Sequence, residues 1–479
     1  MRTAIDKSRD TNSDHRIDGR VVLLVAGFLA WMFAGLENSL FILIHRQMMF
    51  ELLGADTPER MITQWFAWNQ AAFMLGGAAG GWLFGALGDR FGRTRALGWS
   101  VLCYSLLTLL AWFITEPHAM WLVRFLACLG FGGTWPNAVA LVSEAWPSAS
   151  RPLMAGVMGT AANFGFVLLG LIALCFDITE SSWRWVLLVG GSPAVIGAWI
   201  LVAVPESKKW LAAKVAIRER FELAQSTPGN HSSRRTGLQA RSRNDSVLDG
   251  PGDPSYQRSS GIAQLFKGPL LRRTLLGISL GAVPVVGTAA NANWVVPWTD
   301  QVAAKKADEA ATTASSTKPK TDPKQKVRTQ ITRSTGAIFG SLCGGIIASL
   351  VGRRLSYFLI SLLTFGVSSF LFTQLTPGGP WFTQFTFLLG LFGVTYFGWL
   401  PLFLPELFPT HVRAAGSGIS FNSGRIIAAI VTIYVGLRMS SFNGDYAKIG
   451  FWTGLVYVVG MIIIWFAPKT VKAELEKST

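Results

Sequence analysis

The segment Gly85-Ala-Leu-Gly-Asp-Arg-Phe-Gly-Arg-Thr-Arg-Ala-Leu97 is a short charged turn between two long apolar runs. The runs cover about 62–87 and 96–114, and a transmembrane helix needs roughly 20 mostly apolar residues. Three arginines and one aspartate between two such runs predict a hairpin of two membrane-spanning helices whose turn faces water.

Ten further apolar runs surround this hairpin. Hydrophobic residues make up 50% of the 479 residues and charged residues only 15%, against roughly 25% charged in a soluble domain. This composition excludes a soluble globular protein, a disordered chain and a coiled coil. It predicts an all-α membrane protein with twelve transmembrane helices, at about 21–44, 62–87, 96–114, 119–146, 152–176, 184–204, 272–298, 330–351, 355–374, 381–405, 414–437 and 449–467.

An internal repeat divides these helices into two sets of six. Residues 85–93 align with 345–353, and residues 144–151 align with 406–413, at an offset of about 260. Two six-helix halves are an architecture of secondary transporters. The predicted segments are a tail 1–20, a first bundle 21–205, a partly flexible linker 206–271, a second bundle 272–468 with a polar insert 301–328, and a tail 469–479.

The net charge of +16 comes from 43 Lys and Arg against 27 Asp and Glu. Most of the surplus lies in residues 206–273 and in short loops on one side of the alternating helices. The positive-inside rule therefore places this side and both termini in the cytoplasm, in an inner or plasma membrane, and no nucleic-acid partner is expected. The basic 301–328 insert would lie outside and does not fit the rule.

The turn at Gly85–Leu97 resembles the GxLaDRxGRkxxL signature of the major facilitator superfamily, with Thr94 where a second basic residue is usual. The stretch that starts at Arg124, the Pro205–Leu211 segment and the Pro405–Arg413 segment resemble three further elements of that superfamily. The resemblance covers the whole chain and implies two pseudo-symmetric six-helix bundles that work by alternating access. The Gly-Gly-Thr-Trp-Pro stretch resembles the metabolite, sialate and aromatic-acid proton symporters, and other segments resemble sugar porters.

The same resemblance implies a charged cytoplasmic gate that latches the two halves. In the second half Ser349 stands where the first half has Asp89, so that latch would be incomplete. The alternative is that Arg93 and Arg353 only anchor the topology. The expected gate residues are Asp89, Arg90, Arg93, Glu144, Arg151, Arg353, Glu406 and Arg413.

Three charges within the apolar runs are the main candidates for a site. Burying a bare carboxylate costs several kcal/mol, so Glu37 must be protonated, paired or open to a cavity. Related symporters often carry an acid in this helix, which implies a proton-coupling role; the alternative is a structural partner of Arg124. Arg124 and Arg425 could bind a substrate carboxylate. Alternatively, Arg124 balances Glu37 or snorkels to the interface, and Arg425 is an interface charge.

Uncharged polar and aromatic side chains in the apolar runs complete a predicted cavity, or else link helices. Bends at prolines of the seventh and tenth helices would suit gating. The further substrate-binding candidates are Asn69, Gln70, Asn137, Asn163, Asn291, Asn293, Trp294, Trp298 and Asn422, with Trp399 as another stacking ring.

The sequence has no GxxxxGK[ST], HExxH or GxSxG motif, and its four cysteines lie in apolar runs. We therefore expect no enzyme, cofactor or metal, and energy from a gradient. The hypothesis is a monomeric secondary transporter in the lipid bilayer, which moves a small organic anion or sugar-like metabolite, with protons as the coupling ion. The alternatives are efflux by proton antiport and a membrane sensor that does not transport.

Overall fold

A computed structural model describes residues 14–146, 151–212, 214–215, 264–312, 324–409, 412–442 and 444–468. Regular structure in these residues is helical. The helices of the first half are α1 (Asp14–Leu53), α2 (Glu59–Phe91), α3 (Arg93–Leu110), α4 (Pro117–Ala145), α5 (Arg151–Cys175) and α6, in two segments (Trp185–Gly191 and Ala194–Ala203). Those of the second half are α7, in two segments (Gly268–Ala290 and Val295–Thr312), α8 (Gln325–Val351), α9 (Arg353–Gln374), α10 (Phe382–Glu406), α11 (Arg413–Leu437) and α12, in two segments (Tyr446–Gly454 and Val456–Ile463).

Twelve helices in the described part are long and apolar enough to cross a membrane. The all-α membrane architecture predicted from the sequence is therefore confirmed. Successive helices run in opposite directions, so α1 and every second helix after it start on one side. We call this side the near face and the side where α1 ends the far face.

The turns after α2 and α8 show the internal repeat in three dimensions. Gly92 ends α2 and begins α3 with φ of +117°, and Gly352 ends α8 and begins α9 with φ of +91°. Residues with a Cβ rarely adopt this backbone conformation. Glycine at both equivalent positions thus allows a helix to stop and the next to start within one residue.

Helices extend beyond the apolar runs at the far face. α1 continues to Leu53 rather than to residue 44, because His45 contacts the carbonyl oxygen of Ile62 in α2 at 2.8 Å and Met48 is buried there. The second segment of α7 reaches Thr312, so the start of the predicted 301–328 insert is helical. Hydropathy marks the membrane-crossing part of a helix and not its polar extension.

α7 is interrupted at mid-length by a short 3-10 turn, Ala292–Trp294. The break follows Pro284, and Asn291 fixes it from the side. The Asn291 Nδ2 donates to the carbonyl oxygen of Gly450 at 2.6 Å, and its Oδ1 accepts from the Ser368 hydroxyl at 3.0 Å. Contacts with α9 and α12 therefore hold the interruption in place.

The two halves meet along two helix pairs, α2 with α11 and α5 with α8. Small residues permit these contacts: a Cβ added at Gly81 would lie 2.8 Å from the Asn422 Oδ1. The space between the halves is therefore bordered by α2, α5, α8 and α11.

Candidate functional site

Glu37 and Arg124 form an ion pair inside the first half. The Arg124 Nη1 donates to the Glu37 Oε1 at 2.7 Å, and neither side chain is exposed. The Arg124 guanidinium carbon also lies 3.9 Å from the centroid of the Phe41 ring. Arg124 is thus held by a carboxylate in the interior and does not snorkel to the membrane surface.

The pair leaves hydrogen-bonding capacity unused. The Glu37 Oε2 and the Arg124 Nε and Nη2 have no hydrogen-bond partner among the described residues. A buried ion pair is stable only when its remaining polar atoms are also satisfied. The arrangement can therefore accept a proton on Glu37 or a further polar group beside Arg124.

Aromatic rings connect this pair to the second half. The Phe73 ring lies 5.3 Å from the Arg124 guanidinium carbon and 4.6 Å from the Phe131 ring. Phe131 lies 5.6 Å from the guanidinium carbon of Arg425, and Phe421 lies 5.1 Å from it. Arg425 is thus flanked by aromatic faces from both halves, an environment that favours a cation.

Arg425 has no carboxylate within ion-pair distance among the described residues. Its Nη1 donates to the carbonyl oxygen of Gly77 in α2 at 2.8 Å, and the residue is only 6% exposed. A Cβ at position 77 would lie 3.2 Å from that nitrogen. Glycine there lets a cation of α11 reach into the first half without a counter-charge.

Arg333 is a further buried cation, in α8, that the sequence reasoning missed. It is 7% exposed, and its Nη1 donates to the Asn293 Oδ1 at 2.8 Å. Its guanidinium carbon lies 5.5 Å from the Phe166 ring of α5. The signal in the sequence was an arginine within the eighth apolar run, close enough to the basic residues before it to pass for a loop charge.

Several predicted substrate-binding residues form hydrogen bonds within the protein. The Asn137 Nδ2 donates to the carbonyl oxygens of Phe84 at 3.0 Å and Gly133 at 2.8 Å, which joins α4 to α2. Asn291 links α7 to α9 and α12, as described above. Contacts of this kind between helices are a structural role.

Two polar residues of α2 keep unused groups. The Asn69 Nδ2 donates to the carbonyl oxygen of Trp65 at 3.0 Å, whereas the Asn69 Oδ1 and the Gln70 Nε2 are buried without a partner among the described residues. Asn163 is half-buried in α5. Asn69 and Gln70 thus retain the capacity to bind a ligand.

The three tryptophans proposed as stacking rings are packed against protein. Trp294 is not exposed; its Nε1 donates to the carbonyl oxygen of Ala289 at 3.0 Å, and its ring packs on Phe66 and Tyr446. Trp298 lies against two phenylalanines, and Trp399 is also fully buried. These rings belong to the core of this conformation, where other aromatic side chains occupy their faces.

The charged turn at the near face brings three helices together. The Arg93 Nη2 lies 2.5 Å from the Asp89 Oδ1, and the Arg93 Nε lies 3.7 Å from the Glu144 Oε1. Arg90 instead lies over the ring of Phe91, 5.3 Å from its centroid. This cluster joins the ends of α2, α3 and α4 within the first half.

Glu206, which lies in the Pro205–Leu211 segment and was not among the predicted gate residues, completes the cluster. Its two carboxylate oxygens accept from the Thr94 backbone N–H at 3.1 and 3.2 Å. A carboxylate at the start of α3 stabilises the exposed N–H groups and the positive end of that helix. The Ser207 hydroxyl donates to Glu144, and the Trp210 Nε1 donates to the carbonyl oxygen of Asp89 at 3.0 Å.

The second half has a simpler pair at the equivalent turn. The Arg353 Nη2 donates to the Glu406 Oε1 at 2.9 Å, while the Ser349 hydroxyl bonds to the carbonyl oxygen of Gly345 in its own helix. The side chains of Arg151 and Arg413 lie outside the described part of the chain. The second half thus has a serine where the first half has Asp89. Its charged pair joins α9 to α10 instead.

At the far face, polar residues join the two halves directly. The Lys326 Nζ donates to the Gln47 Oε1 at 2.8 Å and to the Asp300 Oδ2 at 3.2 Å. The Lys324 Nζ donates to the carbonyl oxygen of Leu174 at 2.7 Å. Two basic residues of the 301–328 insert, which did not fit the positive-inside rule, therefore contact the first half.

A second set of contacts lies beside the first. The Gln301 Nε2 donates to the carbonyl oxygen of Gly444 at 2.9 Å and lies 3.4 Å from the Glu59 Oε1. The Arg46 Nη1 donates to both oxygens of Glu59 at 2.5 and 2.6 Å. We call these two sets the far-face network, formed by Arg46, Gln47, Glu59, Asp300, Gln301, Lys324 and Lys326.

Among the described residues, no group of three or more His, Cys, Asp or Glu side chains is arranged to hold a metal ion. The site that remains is a set of buried cations, one buried carboxylate and aromatic rings between two helical bundles. This arrangement can bind an anion and can accept a proton.

Comparison with known proteins identifies the family of the chain. The family model described as "Sugar (and other) transporter" matches residues 20–287 and 378–479, and the chain belongs to this family. The niacin transporter NiaP of Acinetobacter baylyi is 26% identical over 463 residues, which are 95% of each chain. The sialic acid transporter NanX of Escherichia coli is 24% identical over 401 residues, 80% of this chain and 81% of that one.

Solved structures show the same fold. The proton:xylose symporter XylE, a major facilitator protein, matches with a TM-score of 0.66 at 15% identity, over 96% of this chain and 99% of that one. The predicted major facilitator fold, with two bundles of six helices, is thereby confirmed. The protein is an integral membrane transporter of small molecules and not an enzyme.

Proposed function

We propose that the protein is a proton-coupled symporter that takes up a small organic anion by alternating access. The observation that carries this proposal is Arg425, a cation buried at mid-depth between the halves without a carboxylate partner in the described chain. An uncompensated buried charge is costly unless a ligand of opposite charge completes it. A substrate carboxylate is such a ligand, because a guanidinium can bind it with two parallel hydrogen bonds.

The surroundings of Arg425 suit a planar or ring-shaped anion. Phe131 of the first half and Phe421 of the second half both lie close to the guanidinium, at 5.6 and 5.1 Å. Aromatic faces provide apolar contact for a ring, and the cation provides orientation. Contacts with both halves would allow the bound anion to influence how the halves close.

The transporters named among the relatives support this substrate class. Niacin and sialic acid, the substrates named for two of them, are both carboxylic acids. A sugar-like metabolite is the second candidate, supported by the xylose symporter of the same fold. The buried cation at Arg425, which has no carboxylate partner in the described chain, favours the acid over a neutral sugar.

Glu37 is the proposed proton-coupling group. Its second carboxylate oxygen has no partner among the described residues, so a proton can be added there without loss of the hydrogen bond from Arg124. Protonation of Glu37 removes its negative charge and so weakens its attraction to Arg124. The positive charge of Arg124 is then unbalanced and repels Arg425 across the rings of Phe73 and Phe131. Entry of one proton with one monoanion would be electrically neutral.

The two faces supply the proposed elements of alternating access. The far-face network links the halves on one side, and the near-face clusters Asp89–Arg93–Glu144 and Arg353–Glu406 lie at helix ends on the other. In the proposed topology the near face and both termini are cytoplasmic, and the protein acts as a monomer in the inner or plasma membrane. Opening of the far face would break the network, and the near-face residues would then latch.

Purified protein tested against carboxylic acids, sugars and sugar acids in a thermal-shift screen should be stabilised by an acid. Uptake of that acid into proteoliposomes should increase when the interior is made alkaline. Arg425→Met should abolish the stabilisation and the uptake. Arg438→Met, at the exposed end of the same helix, is the matched control and should retain both.

The same assays separate the alternatives. Stabilisation by neutral sugars alone would refute the anion proposal. Uptake stimulated by an acidic interior would indicate proton antiport and efflux. A ligand that stabilises the protein but never enters the vesicles would indicate a sensor.

A further inference from the structure

Three hydroxyl groups of α3 are buried on the side of Glu37 and have no part in substrate binding. Tyr104, Ser105 and Thr108 are at most 1% exposed, and none of their hydroxyls has a hydrogen bond of normal geometry among the described residues. Buried polar groups are nearly always paired, so three unpaired hydroxyls within about one turn of helix are unusual. We call these three residues the hydroxyl row.

The hydroxyl row differs from other buried hydroxyls of the first half. A serine or threonine within a helix can satisfy its hydroxyl on the carbonyl oxygen one turn before it. Ser100 of α3 donates to Ala96 at 2.8 Å in this way, and Thr134 of α4 donates to Gly130 at 3.0 Å. The hydroxyls of the row do not make this bond, so they remain available to water molecules and to one another.

The row lies beside the face of α1 that carries Glu37. A Cβ at Gly190 of α6 would lie 2.6 Å from the Leu40 Cδ2 of α1 and 2.8 Å from the Thr108 Cγ2, which puts Leu40 and Thr108 side by side. One turn closer to the near face, the Glu37 carboxylate and the Tyr104 hydroxyl interact electrostatically. Because α1 and α3 run in the same direction, the row follows α1 from Leu40 to Glu37.

The row also leads from Glu37 towards the far face. Tyr104 lies six residues before the last residue of α3, and Arg124 lies seven residues after the first residue of α4. At 1.5 Å per residue, the Glu37–Arg124 pair is therefore about 10 Å below the far ends of these two helices. Thr108 lies two residues before the end of α3 and so spans most of this distance.

The far end of α3 carries ionisable groups that are open to water. The Arg184 Nε donates to the carbonyl oxygen of Trp112 at 3.1 Å, and its Nη2 donates to that of Ile114 at 3.1 Å, which holds Arg184 against the turn after α3. Arg184 also pairs with Glu51, whose side chain is 37% exposed. A carboxylate exposed at this end can exchange protons with water next to the row.

Glu37 can be reached from the row through its unpaired oxygen. Among the described residues, the titratable groups that interact with Glu37 are Arg124 and Cys128 of α4 and Tyr104 of α3. Arg124 binds the Glu37 Oε1, whereas the Oε2 has no partner in the described chain. Tyr104 thus provides a hydroxyl on the α3 side of this carboxylate.

We propose that the hydroxyl row, bridged by water molecules, carries the proton from the far face to Glu37 through the first half, apart from the substrate cavity. The inference rests on the proposed function and names the route by which its proton arrives. Each hydroxyl accepts one proton from the far-face side and releases its own to the next group, so the row is unchanged and the Glu37 Oε2 gains the proton. In the proposed topology the far face is external, and a symporter loads its proton from that side.

The alternative is that the proton reaches Glu37 from the cavity between the halves, together with the substrate. Only the route through α3 is interrupted by removal of a hydroxyl. Thr108→Val replaces the hydroxyl by a methyl group of similar size, whereas Thr108→Ser keeps it, and Tyr104→Phe removes the hydroxyl next to Glu37. Ser100→Ala is the matched control, because it removes a buried hydroxyl of the same helix that is already bonded to Ala96.

The measurement compares proton movement with substrate movement in proteoliposomes that contain a sealed pH-sensitive dye. The probes are labelled nicotinate and N-acetylneuraminate. Thr108→Val and Tyr104→Phe should slow uptake driven by a pH gradient, and the acidification that goes with it, by at least about tenfold, since a positioned proton-transfer group typically contributes a factor of roughly 100 or more. Exchange of labelled for unlabelled probe at equal pH does not require the proton to leave Glu37 and should stay at the wild-type level, as should both activities of Thr108→Ser and Ser100→Ala.

The outcomes separate this route from the proposed function. If the wild type takes up neither probe, or takes one up without acidification, the proposed function fails and the inference fails with it. If the wild type acidifies the vesicles, and Thr108→Val and Tyr104→Phe do so at the same rate, the inference alone is overturned. Loss of driven uptake with retained exchange in these two variants, but not in Thr108→Ser, establishes the route. Loss of exchange as well, or an equal loss in Thr108→Ser, shows that the row serves packing and overturns the inference.

Discussion

The buried Glu37–Arg124 pair makes the sharpest prediction for a single substitution. Glu37→Gln removes the negative charge but keeps the shape of the side chain, and leaves Arg124 charged in the interior. Removing one partner of a buried pair costs about 3–5 kcal/mol. An amide oxygen can still accept from Arg124, so we expect the lower end, about 3 kcal/mol. The Arg124 Nη1 and the Glu37 Oε1 are 2.7 Å apart and both side chains are wholly buried. Solvent therefore does not screen the charge that the substitution leaves on Arg124.

Thermal unfolding of the detergent-solubilised protein measures this cost. At roughly 2 °C per kcal/mol for large domains, Glu37→Gln should lower the Tm by about 6 °C, and Arg124→Gln should do the same. The double variant, with two neutral amides, should return to within about 1 kcal/mol of the wild type, because neutral replacement of a buried pair is often well tolerated.

Glu406→Gln is the matched control, since it removes a carboxylate from an arginine at a partly exposed site. The Glu406 and Arg353 side chains are 37% and 29% exposed, so the effect should be below about 1 kcal/mol. An unchanged Tm for Glu37→Gln, or a double variant no more stable than either single one, would refute the reasoning.

The double variant also separates coupling from structure. If Glu37 carries the proton, the variant should fold and exchange substrate across vesicles at equal pH, but should no longer accumulate it in response to a pH gradient. Accumulation at the wild-type level would leave the pair with a structural role only.

Three further predictions concern the turns and the far face. Gly92→Ala should lower the Tm more than Gly352→Ala: both residues have positive φ, but a Cβ at position 92 would also collide with the Glu206 carboxylate, whereas position 352 is open. Glu206→Ala should cost about 0.5–2 kcal/mol in thermal unfolding, the usual effect of losing a helix N-terminal cap; an unchanged Tm would contradict the capping role. Lys326→Met should leave Asp300 without its ion pair and speed the reaction of cysteines placed at the far face with an impermeant maleimide, while unchanged labelling would mean that the far-face network does not hold the halves together.

The sequence was informative where residues far apart repeat one pattern. The glycines at 92 and 352, each within a charged turn, predicted two equivalent halves, and both have a positive φ in the structure. Glu37 and Arg124 were singled out because charges are costly in apolar runs. Their pairing was one of two open alternatives, since hydropathy gives the cost of burial and not the identity of the partner.

Other features depend on packing that no local pattern records. Arg333 follows three spaced basic residues around the start of α8, Lys324, Lys326 and Arg328. The approach of Phe166 and Asn293 shows that Arg333 is interior. Trp294 and Trp298 were predicted either to stack on a substrate or to link helices, and in this conformation both pack on aromatic neighbours. In a helix buried on most sides, the period of apolar residues does not indicate which side faces the substrate.

Coupled movement of anion and proton is the central claim, and a pH-sensitive dye sealed inside proteoliposomes tests it most directly. The carboxylate that stabilises the purified protein is added outside, with equal pH on both sides at the start. The interior should acidify as the substrate enters, in the wild type and in Arg438→Met but not in Arg425→Met. Substrate entry without acidification, or acidification that persists in Arg425→Met, would contradict the account.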